Sequence, residues 1–106
     1  MELAAEEVSS ILKLLSNPNR LLILCQLAGE EKSVGELARL IGASQVTVSQ
    51  QLGLLKNTGV VASRREAQTV FYRLEHEEIS QLIDFLYATF CPPHKQTGRR
   101  PAKRSA

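Results

Sequence analysis

The sequence lacks the features that direct a protein out of the cytoplasm or into a membrane. It has no run of about 18 apolar residues, which a membrane-spanning helix requires. Its first ten residues, MELAAEEVSS, contain neither the basic lead nor the apolar stretch of a secretory signal. We therefore predict a cytoplasmic protein of one small domain, since the chain has 106 residues. In that compartment its only two cysteines are expected to be thiols, metal ligands or redox switches rather than a permanent disulfide.

Catalytic signatures are also missing. The sequence has no glycine-rich phosphate loop, and its two histidines, His76 and His94, flank the predicted last helix without a matched acid. One small domain also leaves little room for a cleft. We predict that the protein is not an enzyme and that it uses no cofactor.

Acidic residues are absent from the C-terminal segment 94–106. The formal net charge of +2 hides this asymmetry, because the eight basic and eleven acidic residues of segment 1–93 give it a charge of −3. We predict a folded domain at residues 1–93 and a disordered basic tail at residues 94–106. Such a tail can add nonspecific affinity for DNA, although many basic tails only keep a protein soluble. The five basic residues of the tail are Lys95, Arg99, Arg100, Lys103 and Arg104.

The segment 33–56 predicts two short helices joined by a tight turn. Ser33 and Glu36 have the spacing of a capping box, and Gly42 ends the first helix. Ser44 can cap the second helix. The apolar stripe of that helix has the spacing that burial of one face requires and consists of Val48, Leu52 and Leu55.

The opposite face of the second helix carries short, mostly polar side chains, namely Gln45, Val46, Ser49 and Gln50. Glutamine amides pair with adenine edges, serine hydroxyls bind base edges or phosphates, and a valine can contact a thymine methyl group. This face therefore suits readout of the major groove of double-stranded DNA. The alternative is an ordinary solvated helix face.

Two helices precede this segment, and a hairpin and a helix follow it. The first helix should span about Glu2 to Leu15, and Asn17 with Pro18 should start a central helix that is apolar on nearly every side. Strands at 60–65 and 69–74 enclose a hairpin tip at 66–68, and the last helix begins near Glu75. The prediction is a mainly α fold with a small two-stranded β wing, a winged helix-turn-helix in the order α-α-α-α-β-β-α.

The flank of the hairpin tip is basic, with Arg64 and Arg65 next to each other. Arginine side chains at this place can bind phosphates or enter a minor groove. The alternative is a strand edge protected by charge. Because the hairpin follows a helix-turn-helix, we favour a wing that contacts DNA.

The last helix carries an apolar stripe over three turns, which consists of Ile79, Leu82, Ile83, Leu86, Tyr87 and Phe90. Since the subunit already has a core helix, this stripe and that of the first helix are partly surplus. We predict a homodimer through the first and last helices, which would bury both stripes across a two-fold axis. The alternative is that the two helices only cover their own domain.

The order of elements resembles that of the ArsR/SmtB family of bacterial repressors over about residues 5–92. LLSNPNRLLILCQL resembles the signature of the family's second helix, SVGELARLIGASQVTVSQQLGLLKNTGVV its DNA-reading unit, and RREAQTVFYRL its wing. The resemblance implies a dimeric repressor that binds a palindromic operator, with DNA contacts at Gln45, Val46, Ser49 and Gln50. The family often has histidine at position 50.

The metal sites of that family are not matched in this sequence. The Cys-x-Cys pair that many members have at the start of the first DNA-unit helix is replaced by residues 33–36, SVGE, and the last helix offers His76 without the spaced repeat of ligands. We expect no metal site, and we expect His76 to face solvent at the strand-to-helix junction. The alternatives are a metal-responsive repressor of this family and a winged-helix interaction module without a thiol switch.

The two cysteines, Cys25 and Cys91, resemble the pair of the BigR/SqrR subgroup, which consists of dithiol repressors that respond to reactive sulfur species. The resemblance implies that persulfides or oxidants link the two thiols and release the operator. A bond between Cys25 in the central helix and Cys91 at the end of the last helix would tie the core to the dimer interface. Alternatively, Cys25 is a small buried hydrophobe, whereas the positive charge near Cys91 can favour a thiolate.

Overall fold

The computed structural model describes residues 2–91 of the chain. Within this range, helices and strands follow one another in the predicted order, with one short strand added. Their bounds are α1 Glu2–Leu15, α2 Pro18–Leu27, β1 Lys32–Ser33, α3 Val34–Ile41, α4 Gln45–Asn57, β2 Val61–Glu66, β3 Thr69–Leu74 and α5 Glu77–Phe90. In this part of the chain, no helix has both the length and the apolar character needed to cross a membrane. The predictions for a tail at 94–106 and for a domain boundary after residue 93 lie outside the described residues.

Three of the helices, α2, α3 and α4, start at the predicted capping residues. Oδ1 of Asn17 accepts hydrogen bonds from two backbone N–H groups of the first turn of α2. At α3, the N–H of Glu36 donates to Oγ of Ser33 at 3.2 Å, and the N–H of Ser33 donates to Oε1 of Glu36 at 2.9 Å. Oγ of Ser44 accepts from the N–H of Thr47 at 3.0 Å at the start of α4. Side chains therefore satisfy N–H groups that have no partner within their own helix.

Two glycines end the helices of the helix-turn-helix. Gly42 has a φ of 73° and donates its N–H to the carbonyl oxygen of Ala38, which closes the last turn of α3. After α4, Thr58 is the C-cap residue and Gly59 has a φ of 81°. Positive φ costs glycine little because it has no Cβ, so the two glycines stop the helices as predicted.

The sheet has one strand more than the predicted hairpin. Its order is β1-β3-β2, and both pairings are antiparallel, with Lys32 opposite Tyr72 and Ser33 opposite Phe71 in the added pair. A two-residue strand carries no alternation of apolar and polar residues, so its sequence does not predict it. Because Ser33 also caps α3, the added strand fixes the start of the helix-turn-helix to the wing.

The hairpin tip is shorter than the predicted segment 66–68. Glu66 pairs with Thr69, which leaves Ala67 and Gln68 as a two-residue loop. Ala67 has a φ of 58°, as the first loop residue of the tight primed turns requires. The missing Asn-Gly or Gly-Gly signal is therefore replaced by an alanine in the left-handed region, which is a strained conformation for a residue with a Cβ.

The last helix begins two residues later than predicted. The N–H groups of Glu75 and His76 both donate to the carbonyl oxygen of Val60, the residue before β2. These two residues therefore extend the pairing beside β2 and β3, and α5 begins only after them. His76 is the N-cap, and its Nδ1 accepts from the N–H of Ile79 at 3.2 Å. His76 is partly buried, so the expectation that it simply faces solvent is wrong.

The core lies around α2, as its nearly uniform apolar composition predicts. Its largest fully buried side chains come from four of the helices and are Ile23, Leu24, Leu27, Leu37, Val48, Leu52, Leu55, Ile79 and Ile83. Burial of each such side chain is worth about 1.5–3 kcal/mol relative to exposure. The helix-turn-helix is therefore bound rigidly to the rest of the subunit.

The outer helices bury only part of their apolar surface within one subunit. In α1 every side chain from residue 4 to residue 10 is exposed, and Leu12 is exposed as well. In α5, Ile79 and Ile83 belong to the core of their own subunit, whereas Phe90 of the predicted stripe is 73% exposed. Phe85, which the predicted stripe did not include, is 62% exposed.

The backbone at the hairpin tip generates a prediction of stability. Replacing Ala67 by glycine should relieve left-handed strain and stabilise the protein by up to about 0.5 kcal/mol, because the gain exceeds the added entropy of the unfolded chain. The opposite exchange, Gly42→Ala, should destabilise it by about 1 kcal/mol, since a Cβ there meets no atom within 4 Å and the cost is only conformational. Urea denaturation of both variants measures the change in the free energy of unfolding. A lower free energy of unfolding in Ala67→Gly contradicts the prediction.

Candidate nucleic-acid interface

Helix α4 has two faces with opposite environments. Val48, Leu52 and Leu55 are each 0% exposed, as the apolar stripe predicts. The four residues of the predicted reading face, Gln45, Val46, Ser49 and Gln50, are all exposed, and Val46 is 67% exposed. The helix therefore presents two amide groups, a hydroxyl group and one apolar side chain on its exposed face. Burial of the opposite face fixes the orientation of these groups.

The side chain of Gln45 lies against the first turn of α3. A Cβ built on Gly35 would be 3.7 Å from Nε2 of Gln45, so the amide passes close to the backbone of α3. A Cβ at that distance would be in ordinary van der Waals contact with the amide, so Gly35 marks a close approach of the two helices that would still admit a small side chain. The glutamine at the start of the reading face is thus placed by both helices of the unit.

Arg20 connects α4 to the two preceding helices. Its Nε donates to the carbonyl oxygen of Leu14 at the end of α1, at 2.8 Å. Its Nη1 donates to Oε1 of Gln51 on α4, at 3.2 Å. One guanidinium group therefore links the end of α1, the start of α2 and the middle of α4. No local sequence pattern predicts this role of Arg20, because Gln51 is 31 residues away along the chain.

The two wing arginines have different environments. Nε of Arg64 lies 3.0 Å from both carboxylate oxygens of Glu31, and its Nη2 lies 2.8 Å from Oε1. Nη1 of Arg64 also donates to Oε1 of Glu66 at 3.0 Å. The hydrogen bond from Arg64 holds the pKa of Glu31 below its usual value, and the hydrogen bonds that Arg64 donates to Glu31 and Glu66 raise the pKa of Arg64. Arg65 is exposed and forms no ion pair with any residue of the described range.

Each of the two outer helices, α1 and α5, carries exposed apolar side chains. These are Val8 and Leu12 on α1 and Phe85 and Phe90 on α5, with exposures between 47% and 73%. Single exposed apolar residues are ordinary, but several on two terminal helices indicate a surface that another protein covers. We call these four residues the outer apolar patch.

Cys25 lies within α2 and Cys91 directly follows α5, and these two helices pack against each other. Cys25 is partly buried and packs against the hydrophobic core. Cys91 is also partly buried, is the C-cap of α5, and donates its N–H to the carbonyl oxygen of Tyr87 at 2.8 Å. No disulfide joins the two thiols in the described structure. One cysteine is therefore in the core helix and the other ends a helix of the outer apolar patch.

Residues 2–91 contain no group of three or more histidine, cysteine, aspartate or glutamate side chains arranged to hold a metal ion. Nδ1 of His76 is occupied by the helix cap. Its nearest acid, Glu78, has a carboxylate oxygen 3.5 Å from the same nitrogen. A metal ligand at this place would require the cap to break.

Residues 17–63 match the model of a family described as bacterial regulatory protein, arsR family. The biofilm growth-associated repressor of Xylella fastidiosa is 48% identical over 96 residues, which cover 91% of this chain and 84% of that protein. The transcriptional activator HlyU of Vibrio cholerae is 42% identical over 91 residues, which cover 86% of this chain and 84% of that protein.

Solved structures show the same fold. The crystal structure of the transcriptional repressor BigR from Xylella fastidiosa has a TM-score of 0.79 at 48% identity and covers 86% of this chain and 93% of that chain. Reduced HlyU from Vibrio cholerae N16961 has a TM-score of 0.82 at 42% identity and covers 86% of this chain and 96% of that chain. With this identity along nearly the whole of the described fold, the chain belongs to the arsR family of bacterial regulatory proteins and has a winged helix-turn-helix fold.

Proposed function

We propose that the protein is a homodimeric transcriptional repressor that binds a palindromic operator in double-stranded DNA. We further propose that persulfides or oxidants release the operator by linking Cys25 to Cys91. The observation that carries the DNA-binding part is the division of α4 into a fully buried stripe and an exposed face of two amides, one hydroxyl and one valine. These groups match the hydrogen-bonding and methyl groups of A·T pairs in the major groove.

The outer apolar patch supports the dimeric part of the proposal. Packing α1 and α5 against their copies would bury Val8, Leu12, Phe85 and Phe90, and a two-fold axis presents the same surface from both subunits. Two recognition helices related in this way meet half-sites about 34 Å apart on one side of the duplex. A palindromic operator is the DNA counterpart of that symmetry.

The sign of regulation is inferred from the relatives. One similar protein is described as a repressor and another as an activator, so membership of the family is compatible with both. Identity to the repressor is higher, at 48% against 42%, and this supports repression. A bound dimer also blocks access of other proteins to the operator without any further contact.

The switch requires chemistry at two thiols. The thiolate of one cysteine attacks the outer sulfur of a low-molecular-weight persulfide, forms a protein persulfide and displaces a thiol. The second thiolate then attacks the sulfur bonded to the first cysteine and expels hydrogen sulfide. The two protein thiols lose two electrons, which reduce the sulfur–sulfur bond of the persulfide to a thiol and hydrogen sulfide. Each additional sulfur in the bridge consumes one further persulfide.

A direct disulfide requires the two Cα atoms to approach within about 7 Å, whereas inserted sulfurs span a longer distance. Linkage of Cys25 on α2 to Cys91 at the end of α5 would change how these two packed helices meet. Since α5 belongs to the proposed dimer surface, a small displacement there changes the spacing of both recognition helices together. Loss of the correct spacing weakens two half-site contacts at once.

Titration of the reduced protein with a palindromic duplex and with a scrambled duplex tests the proposed function. A DNA-binding dimer should bind the palindrome more tightly, and its affinity for both duplexes should fall steeply between two salt concentrations because counterions are released. Absence of binding, or binding that does not respond to salt, would instead indicate a winged-helix module that binds other proteins.

Readout by α4 gives the second prediction. Gln45→Ala and Gln50→Ala should each weaken binding to the palindrome by about 1–3 kcal/mol, because each removes an amide that can form a bidentate base contact. Binding to the scrambled duplex should change little. Gln26→Ala, which shortens a partly buried glutamine on α2, is the matched control. Equal losses on the two duplexes would mean that α4 does not read bases.

Dimerisation gives the third prediction. Phe85→Glu should produce a folded monomer, since the side chain is 62% exposed within its own subunit and a charge cannot be buried unpaired across the two-fold axis. Leu40→Glu changes a similarly apolar, 44% exposed residue on α3 and should leave the dimer intact. Sedimentation at micromolar concentration distinguishes a monomeric variant from a dimeric one, and circular dichroism verifies that both variants are folded. A dimeric Phe85→Glu variant would place the interface elsewhere.

The thiol pair gives the fourth prediction. Cys25→Ser and Cys91→Ser should each bind the palindrome as tightly as the reduced wild type, and neither should release it when polysulfide is added, because each lacks one half of the bridge. Fluorescence anisotropy measures the release, and the intact mass distinguishes a disulfide from a bridge with added sulfurs. Release of DNA by either single variant rules out the dithiol mechanism.

A further inference from the structure

The adjacent arginines of the wing lie on opposite faces of the sheet, because successive side chains of a strand alternate. Arg64 is opposite Phe71 on β3, and Phe71 is opposite Ser33 on β1. These three residues therefore form one row across the sheet. Arg65 is opposite Val70 and belongs to the other face.

Along this row, the side chain of Arg64 extends from β2 across β3 toward the edge of the sheet formed by β1. The guanidinium carbon of Arg64 lies 4.9 Å from the ring centroid of Phe71, within the range of a cation–π contact. Beyond the ring, the guanidinium meets both carboxylate oxygens of Glu31, two residues before Ser33. The side chain thus spans the middle strand and joins the wing to the segment that leads into α3.

The charges around Arg64 do not favour a phosphate. Glu31 and Glu66 both pair with the same guanidinium, so the three side chains together carry one negative charge. A phosphate that bound the Arg64 guanidinium would have to displace the bidentate carboxylate of Glu31, which is a strong and geometrically specific acceptor. Arg65 has no such competitor among the described residues and is exposed on the opposite face.

We propose that the two arginines have separate tasks in DNA binding: Arg65 contacts a phosphate, whereas Arg64 is a positioning residue that fixes the angle of the wing through Phe71 and Glu31. This inference rests on the proposed DNA-binding function. Because Ser33 is the N-cap of α3, the row fixes the orientation of the wing relative to the helix-turn-helix. The register of the wing on the duplex then depends on Arg64 without any contact between Arg64 and DNA.

The same substitution at the two adjacent positions tests this division. Arg65→Met should lower the salt dependence of binding by about one unit in the slope of log affinity against log salt, and should weaken the palindrome and the scrambled duplex by the same factor. Arg64→Met should leave that slope unchanged and should weaken only the palindrome, by several-fold. A reduction of the slope by about one unit in Arg64→Met overturns the proposal.

Removal of the acid provides an independent readout. Glu31→Ala should weaken the palindrome by the same factor as Arg64→Met, and the double variant should lose no more than either single variant, because all three break one contact. Tighter binding and a steeper salt slope in Glu31→Ala would mean that Glu31 masks a phosphate-binding Arg64, which also overturns the proposal. If the wild type shows no salt-dependent binding to either duplex, the DNA-binding function itself fails, and this result is distinct from both.

Discussion

Burial of the apolar stripe of α4 is the constraint on which the other features of the structure depend. Val48, Leu52 and Leu55 are each completely buried, and truncation of such a leucine to alanine typically costs about 2–5 kcal/mol. Rotation of the helix by a single residue would place polar groups in the core. The rotation of α4 is therefore fixed, and Gln45, Val46, Ser49 and Gln50 project outward as a rigid set.

Three groups of contacts, at increasing distance from α4, position this rigid set. Arg20 holds α4 to α1 and α2, and the capping box together with β1 joins the start of α3 to the sheet. The outer apolar patch, which includes Phe85, would set the distance between two copies. The proposed thiol bridge acts at this last level, where a displacement changes the spacing of two helices without unfolding either of them.

Local signals in the sequence predicted most of the fold. Asn17, Ser33, Ser44 and Gly42 act within a few residues of their own positions, so their roles can be read from short segments. Contacts between distant segments could not be predicted in this way. The pairing of Arg64 with Glu31, 33 residues away, and the pairing of β1 with β3 depend on how the chain folds back. Phe85 was missed because it lies outside the periodic apolar stripe, whose residues Ile79 and Ile83 pack into the core of the same subunit.

The most direct test of the central claim is selection of binding sites by the reduced wild-type protein from a pool of random duplexes. Two copies of α4 related by a two-fold axis should enrich an inverted repeat whose half-site centres lie about one helical turn, or a multiple of it, apart. The enriched positions should lie in the two half-sites rather than in the spacer. Enrichment of a single unrepeated site, or no enrichment at all, would contradict the claim that a symmetric pair of α4 helices reads DNA.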